Sequence, residues 1–501
     1  KFMYEQGIEI AGIDYFAQRG YIVVVVNPRG IGNSEGIWTG VLSRQDQTDC
    51  CYKIHQKSRI RRFFAMNRKI YNEYVTILES ELVPALGCTE PIALAYAAAK
   101  AKEVLGKMPD HITMRCSGNI IKNVKGVKVP NSGGMKGVEA AAVLGITGGD
   151  PSQALEVLEH VTDREIDEAE KLLKAGFCDC VLKDDVANLY IEAYAVCKKT
   201  EKSEALVVIE DEHTNITHIE KDGQVLFHKE KKEYCQEREK TPDKSLLNLE
   251  DIITFANEVQ ITDVEKVLGR QIKYNTRIAE EGLRNPWGAQ VGRVVLEEFG
   301  EDVKWRAVAK ASAGSDARMS GCALPVIINS GSGNQGMTCS LPVIEFGKEL
   351  KKSKEEIYRA LCVSNLVALN QKKYIGSLSA YCGAVCAAAG AGAGITYLCG
   401  GTLEQIENTV VNTIADAGGI VCDGAKPSCA AKISTALQAA ILSHKMAMRG
   451  LTFARGEGLV MDCPEDTIKA VGYVGRAGMK QTDVEILNLM IGKTKLEDID
   501  K

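Results

Sequence analysis

The sequence predicts an α+β fold: an N-terminal α+β domain with mostly antiparallel strands, followed by an all-α C-terminal domain. Three observations carry this. From about residue 110 to 235, runs such as "HITMRCSGNIIKNV", "NLYIEAYAVCKK" and "ALVVIEDEHTNITHIEKDGQVLFHK" alternate apolar and polar residues, the period of a half-buried strand. Beyond residue 248 the period changes. "LEDIITFANEV", "DVEKVLGRQIKYNTRIAEEGL", "SKEEIYRALCVSNLVALNQKK", "TLEQIENTVVNTIADAGG" and "AAKISTALQAAILSHKMAMRG" repeat apolar residues every three or four positions. Between the two lies "EKKEYCQEREKTPDKSLLN", Glu230 to Asn248, whose charge and turn residues set the expected boundary at 245/246.

Taken in order, residues 1–65 stand apart. Tyr21 to Val26 read as a buried strand, and the Gly-rich turn Arg29 to Ser34 follows it. The stretch "YFAQRGYIVVVVNPRGIGNSEGIW" resembles an early strand and loop of α/β-hydrolases of the cocaine-esterase and acyl-peptidase type. Such enzymes need a G-x-S-x-G elbow, which occurs nowhere in the chain, so this segment carries no expected activity. Met66 is expected to open the natural protein, with residues 1–65 a fused fragment or gene-model artefact; a genuine extension pairing at a sheet edge is the alternative.

From Met66 a helix is expected to about Val83, then a break at Pro84 to Gly87, then a second helix from Glu90. Thr89 suits its N-cap, Pro91 its first turn and Gly106 its end. Cys88 then sits at a helix N-terminus, where unsatisfied N–H groups and the macrodipole favour a thiolate. A helical interruption is expected near Pro151 to Ala175, inside the strand-rich region.

At 501 residues the chain is long enough for two or three domains. With 45% hydrophobic and 25% charged residues and a net charge of -5, it gives no reason to expect nucleic acid or an anionic membrane as partner. No apolar run reaches a spanning length and no signal pattern opens the chain, so the expected location is cytoplasmic. Seventeen cysteines without a secretion signal read as reduced thiols, ligands or nucleophiles rather than a disulfide framework. The seven histidines form no HxxxH or HExxH pair, and Cys178 and Cys180 form only a CxC, so zinc has little support.

Chemistry concentrates elsewhere. Cys382 and Cys386 lie in the small-residue stretch "SAYCGAVCAAAGAGAG", and Cys422 and Cys429 flank the turn in "GGIVCDGAKPSCAAK". Thiols converging from separate elements, with small neighbours that leave room, suit an iron–sulfur cluster, although CxxxC on an Ala-rich helix also serves plain packing. The Gly/Ser loop "NSGSGNQGMTCSLPV" can offer backbone N–H groups and the amides of Asn334 and Gln335 to a carboxylate or phosphate. "CSGNIIKNVKGVKVPNSGGMKG" and "DEHTNI" add Ser117, Asn119, Lys122, His213 and Asn215, each of which also fits ordinary turn chemistry.

Together "GCTEPIALA", "CSGNIIKNVKGVKVPNSG", "EHTNI", "NPWGAQVGR", "SGSGNQG", "YCGAVCAA" and "CDGAKPSCAAK" resemble the L-cysteine desulfidase family, related to the α-subunit of iron–sulfur L-serine dehydratases. The likeness runs from Met66 to about Gly492. It implies a 4Fe–4S cluster on Cys382, Cys422 and Cys429, with Cys386 a packed neighbour and one iron left open as a Lewis acid. It implies β-elimination of L-cysteine to hydrogen sulfide, ammonia and pyruvate, with Cys88 as the base or as a sulfur acceptor. Ser117, Asn119, His213, Asn215, Ser330, Ser332, Asn334 and Gln335 would orient the substrate.

Three alternatives stay open. The same apparatus could dehydrate L-serine. A pyridoxal phosphate enzyme would need a Schiff-base lysine, and Lys310 and Lys426 lie in no fitting motif. A metal- or redox-sensing module would need a partner surface that the mildly acidic chain does not display. A homodimer is left open. An active site between the two domains, with Cys88 from the first and the cluster from the second, is the expected arrangement.

Overall fold

The computed structural model describes residues 66–198, 202–229, 242–376, 378–495 and 497. The chain divides into two compact units, Lys1–Ala65 and Met66–Lys501. The expected strand at Tyr21 to Val26 and its glycine turn lie outside the described residues, as does most of the charged segment expected to divide the domains.

Helix α1 (Arg68–Glu81) starts where the Asn67 side chain accepts the Lys69 N–H, and its buried face presents Tyr71, Tyr74, Ile77 and Leu78. Both tyrosine rings stand 5.4 Å from Phe255, so α1, although it precedes the sheet in sequence, packs into the helical core. The expected break at Pro84 is a short strand, β1 (Pro84–Leu86), which pairs antiparallel with β8 (Pro325–Ile327), Pro84 opposite Ile327. Three residues are too few for a period to show. Helix α2 (Thr89–Leu105) is capped by Cys88 rather than Thr89, and Gly106 ends it in the left-handed region at φ 79°.

The sheet has six strands in the order β3-β2-β4-β5-β6-β7. They are β2 (His111–Cys116), β3 (Cys178–Leu182), β4 (Tyr190–Cys197), β5 (Ser203–Glu210), β6 (Ile216–Lys221) and β7 (Gln224–His228). All pairs are antiparallel except β2 with β3. The run expected to continue as strand after Cys116 turns at Ser117 into α3 (Gly118–Lys125), and "VEAAAVLGITG" forms α4 (Val138–Gly148), unforeseen from the alternation. Ile120, Ile121 and Val124 fit a helical stripe as well as a strand, and tertiary packing decides. Helix α5 (Asp163–Lys174), preceded by the 3-10 turn Pro151–Glu156, matches the expected interruption. Helices α2 and α4 cover β2, β4 and β5, with α5 behind α4, and close the smaller of the two main cores.

The remainder is helical, apart from β8: α6 (Leu249–Glu258), α7 (Ile261–Arg284), α8 (Val291–Phe299), α9 (Val303–Met319), α10 (Gly333–Glu349), α11 (Lys354–Ile375), α12 (Gly383–Leu398), α13 (Leu403–Ala417), α14 (Cys429–Ala447), α15 (Pro464–Tyr473) and α16 (Lys480–Ile491). Helix α12 is the hub, packed by α10, α11, α13 and α14. Its small residues make that possible. A Cβ on Gly390 would fall 2.3 Å from the Ser364 carbonyl oxygen, and one on Gly394 would fall 2.9 Å from that of Ala360. The poverty of side chains in "AAAGAGAG" therefore serves close helix packing, a correction to the expectation that the whole stretch makes room for a cluster. Among the described residues no helix is long and apolar enough to cross a membrane.

Candidate active site

The β1–β8 ribbon sets two strand-turn-helix units side by side. One runs from β1 through Gly87 (φ 60°) to Cys88 and α2; the other runs from β8 through Ser330 (φ 50°) and Gly331 (φ 73°) to Ser332 and α10. A buried amide network fixes the second turn. Asn275 exchanges bonds with both backbone groups of Ile327, and Asn329 Nδ2 donates to Asn365 Oδ1 at 3.1 Å, which in turn meets Gln271. Each amide is fully buried and paired, which makes the loop rigid. Thr89 Oγ1 donates to the Gly331 carbonyl at 2.9 Å and Arg318 Nε to that of Gly87 at 2.8 Å, tying the two turns together.

Where these turns meet, the Cys88 thiol donates to Glu90 Oε2 at 3.0 Å. Burial and the Glu90 charge push the thiol well above its ordinary value, with Arg318 opposing. The expected depression by the helix N-terminus is therefore overturned: in a dry site with a carboxylate at its side, Cys88 keeps its proton. Glu90 is displaced the other way. Burial alone would raise it, but His213, the bond from Cys88, its own backbone and Arg318 together hold it below the usual carboxylate range. His213, from the β5–β6 loop, packs on Gly331, where a Cβ would fall 3.3 Å from its Cε1, and burial favours its neutral form.

The other three cysteines come from two loops joined by an antiparallel bridge between Tyr381 and Val421. Cys382 N–H donates to the Ile420 carbonyl at 3.1 Å and Cys422 N–H to that of Ala380 at 2.6 Å. Cys382 caps α12, and Cys429 begins α14 with its sulfur 3.7 Å from the Gly424 carbonyl oxygen. A bond from Cys382 brings Cys422 down to about 6 against the cost of burial, helped by Lys122, the Gly424 N–H and Lys432, while the same bond pushes Cys382 up. Gly424 (φ 93°) packs on the Lys122 carbonyl, and buried Lys122 pairs with Asp483 of α16. Burial pulls the Lys372 ammonium down beside Cys386, Cys422 and Cys382. Cys386 lies wholly inside α12's packing, its thiol pushed up to about 11 by burial.

The two groups adjoin. Cys88, Val127 and Met319 form one small buried cluster with Cys429 and Ala425 packed against it, and the Gln335 amide lies on Gly383, next to Cys382. Asn119 Oδ1, His213 Nε2, Asn334 Oδ1 and Gln335 Oε1 are buried without a hydrogen-bond partner, a condition that asks for a polar ligand. Other expected residues are occupied. Ser117 Oγ donates to the Asn188 carbonyl at 2.8 Å, and Asn215 bonds the Glu210 carbonyl and Lys229 within its turn, so each already holds a structural bond. Ser330 Oγ donates to Asn329 Oδ1 at 2.8 Å, and Ser332 exchanges backbone bonds with Asn329 at the start of α10. Glu90 and Arg318 were missed. Glu90 stood in the quoted GCTEP motif; Arg318, mid-sequence in an unremarkable helix, gave no signal.

Among the described residues no three His, Cys, Asp or Glu side chains are arranged to hold a single metal ion. A cluster asks for something else, since thiols on different irons stand farther apart than ligands of one ion. The thiols nearest that description are Cys382, Cys422 and Cys429 from the two bridged loops, Cys382 and Cys429 at helix N-termini, with Lys122, Lys372 and Lys432 close by and a hydrogen bond between Cys382 and Cys422.

Comparison with known proteins gives two family matches. The model of the serine dehydratase alpha chain matches residues 152–488, and that of the X-Pro dipeptidyl-peptidase (S15 family) matches residues 3–55. The chain is 54% identical over 422 residues to a UPF0597 protein of Lachnoclostridium phytofermentans, covering 84% of this chain and 100% of that one. Similar proteins of Desulfitobacterium hafniense and Treponema denticola are 48% and 44% identical, covering 86% and 85% of this chain and 99% of each relative.

Proposed function

Because this chain belongs to the serine dehydratase alpha chain family, whose members are in general iron–sulfur dependent lyases, we propose that it is an L-cysteine desulfidase. The reaction eliminates hydrogen sulfide from L-cysteine; the 2-aminoacrylate left behind tautomerises and hydrolyses to pyruvate and ammonia. The observation that carries the reading is the junction of the Cys88–Glu90 pair with the unpartnered atoms of His213, Asn334 and Gln335 and with the Cys382, Cys422 and Cys429 loops.

The chain's own residues divide the work. The N–H groups at the N-terminus of α10 receive the substrate carboxylate, where the macrodipole favours an anion, and the unpartnered Asn334 and Gln335 amide oxygens accept from the amine. His213, neutral on Gly331, accepts from the amine. In its deprotonated form Cys88 takes the α proton onto sulfur, and the electron pair of the broken C–H bond forms the double bond as the C–S bond breaks. A thiol that burial raises is a strong base once its proton is gone. Cys382, Cys422 and Cys429 would hold a 4Fe–4S cluster, which would supply a Lewis acid for the leaving group. All described cysteines are free thiols, in keeping with a reducing cytoplasmic setting.

The family match favours a second reading, dehydration of L-serine, because a hydroxyl could leave from the same place. The test is anaerobic reconstitution of the full chain with iron and sulfide, followed by sulfide and pyruvate release from L-cysteine and pyruvate release from L-serine. Equal sulfide and pyruvate from cysteine, lost in Cys422→Ala, is the expected result. Pyruvate from serine alone moves the protein to the dehydratases, and no product from either with cluster absorbance present overturns both substrates.

A further inference from the structure

The segment "NPWGAQVGR", Asn285 to Arg293, has no part in the site above, yet it closes over the C-terminal end of α9 around a buried carboxylate. Asp316 is fully buried, and its Oδ2 accepts the Gly292 N–H at 3.1 Å. Its Oδ1 has no partner, nor do the hydroxyls of Ser312 and Ser320, one turn before and one turn after on the same helix face. Three oxygens converge under the turn at Gly288 (φ 55°). A Cβ built there would lie 2.7 Å from Ser320 Oγ, 3.2 Å from the Asp316 carbonyl oxygen and 3.5 Å from Asp316 Oδ1. The Ser320 N–H, which caps α9, donates to the Ala317 and Arg318 carbonyls, leaving the Asp316 carbonyl facing this cradle.

Two helix ends meet in this corner: N–H groups at the start of α8, Gly292 among them, turn toward the Asp316 carboxylate, and among the described residues no cationic side chain does. The end of α9 carries the negative pole of the helix, and a carboxylate sits on it. Among the described residues no charged side chain acts on Asp316, and Arg318, the basic residue of the last turn, donates to the Gly87 carbonyl instead. Burial raises the Asp316 carboxyl to about 6, with the N–H groups of Gly292, Val291 and Ala289 pulling the other way. A buried carboxylate of this kind is held by a counter-charge or carries its own proton.

We propose that a small monovalent cation binds at the end of α9, held by Asp316 Oδ1, the Asp316 carbonyl oxygen and Ser320 Oγ beneath Gly288. One carboxylate among neutral oxygens suits a single positive charge, whereas calcium and magnesium sites gather more. The required Gly288 follows directly, since any side chain there enters the cradle. Arg318 lies two residues on and reaches the Cys88 turn, so an ion that fixes the last turn of α9 also steadies the wall of the candidate active site. The proposal does not rest on the lyase reading.

Thermal unfolding of the full chain tests it without any assay of activity. The protein is exchanged into choline chloride and titrated with potassium or sodium chloride at constant ionic strength. Saturable stabilisation by at least one of the two, raising Tm by about 1–2 °C, is expected. Asp316→Asn should lose the dependence and unfold in choline at or above the wild-type Tm, because the amide keeps the shape without the charge. Indifference of the wild type to all three cations overturns the proposal, as does a response to magnesium or calcium alone, or an unchanged response in Asp316→Asn. Should that variant not fold, Ser320→Ala must raise the half-saturating concentration several-fold; an unaltered value overturns the site.

Discussion

Cys88 and Cys422 lie in adjoining loops, the first buried at the N-cap of α2 and the second half-buried in the loop that leads to α14, and they behave oppositely. Cys422 is brought down to about 6 by Cys382, Lys122, Gly424 and Lys432, whereas burial and Glu90 hold the Cys88 proton in place. A helix N-terminus is common to Cys88 and Cys382, and both are raised, so it does not decide the outcome. Neighbouring charge does. On the proposed function, one thiol is then set to ligate and the other to exchange a proton.

The strongest way to separate the two is to remove each. Cys422→Ala should lower pyruvate formation about 10³-fold or more and reduce cluster absorbance in reconstituted protein, since an open metal position needs its remaining ligands. Cys88→Ala should lower turnover about 10²–10³-fold with absorbance unchanged. Loss of absorbance in that variant would erase the distinction.

Lys122→Met attacks the Cys422 side. It strands Asp483 and should cost about 3 kcal/mol in urea unfolding, because breaking one half of a buried pair leaves an unpaired charge. In metal-free protein the iodoacetamide reactivity of Cys422, which should rise with pH through about 6 as thiolate forms, should move to higher pH in this variant. Glu90→Gln attacks the other side. Removing the charge that raises Cys88 should bring its alkylation to lower pH, so that at a fixed pH the thiol reacts about tenfold faster than in the wild type. An unchanged profile would assign the rise to burial alone. The smallest effect is expected of Asn365→Ala, which unpairs Gln271 and Asn329 under the Gly331 turn and should cost about 1–2 kcal/mol, read by thermal unfolding.

Much of this was legible in the sequence, for reasons that differ by residue. The helical part announced itself by its period, and the six-stranded sheet by alternation. Cys382, Cys422, Cys429 and Cys88 were picked out by motifs, and the Tyr381–Val421 bridge then explains why two distant cysteines meet. The direction in which Cys88 is displaced was not legible, because it depends on burial and on the approach of the Glu90 carboxylate to the thiol, which only the fold sets. Helices α3 and α4 were hidden in a strand-rich neighbourhood whose apolar spacing fits both periods. The glycines of α12 suggested a cavity and turned out to be contact points between helices.

The ribbon of β1 and β8 has a consequence for how this protein is made. Pro84 finds its partner only at Ile327, and α1 finds Phe255, so the first elements leave the ribosome long before the segments they pack on exist. Contacts so far apart along the chain form late. The Cys88 turn must therefore wait, unpaired, through the synthesis of nearly half the molecule. Any metal chemistry at this site then belongs to the finished chain rather than to the nascent one.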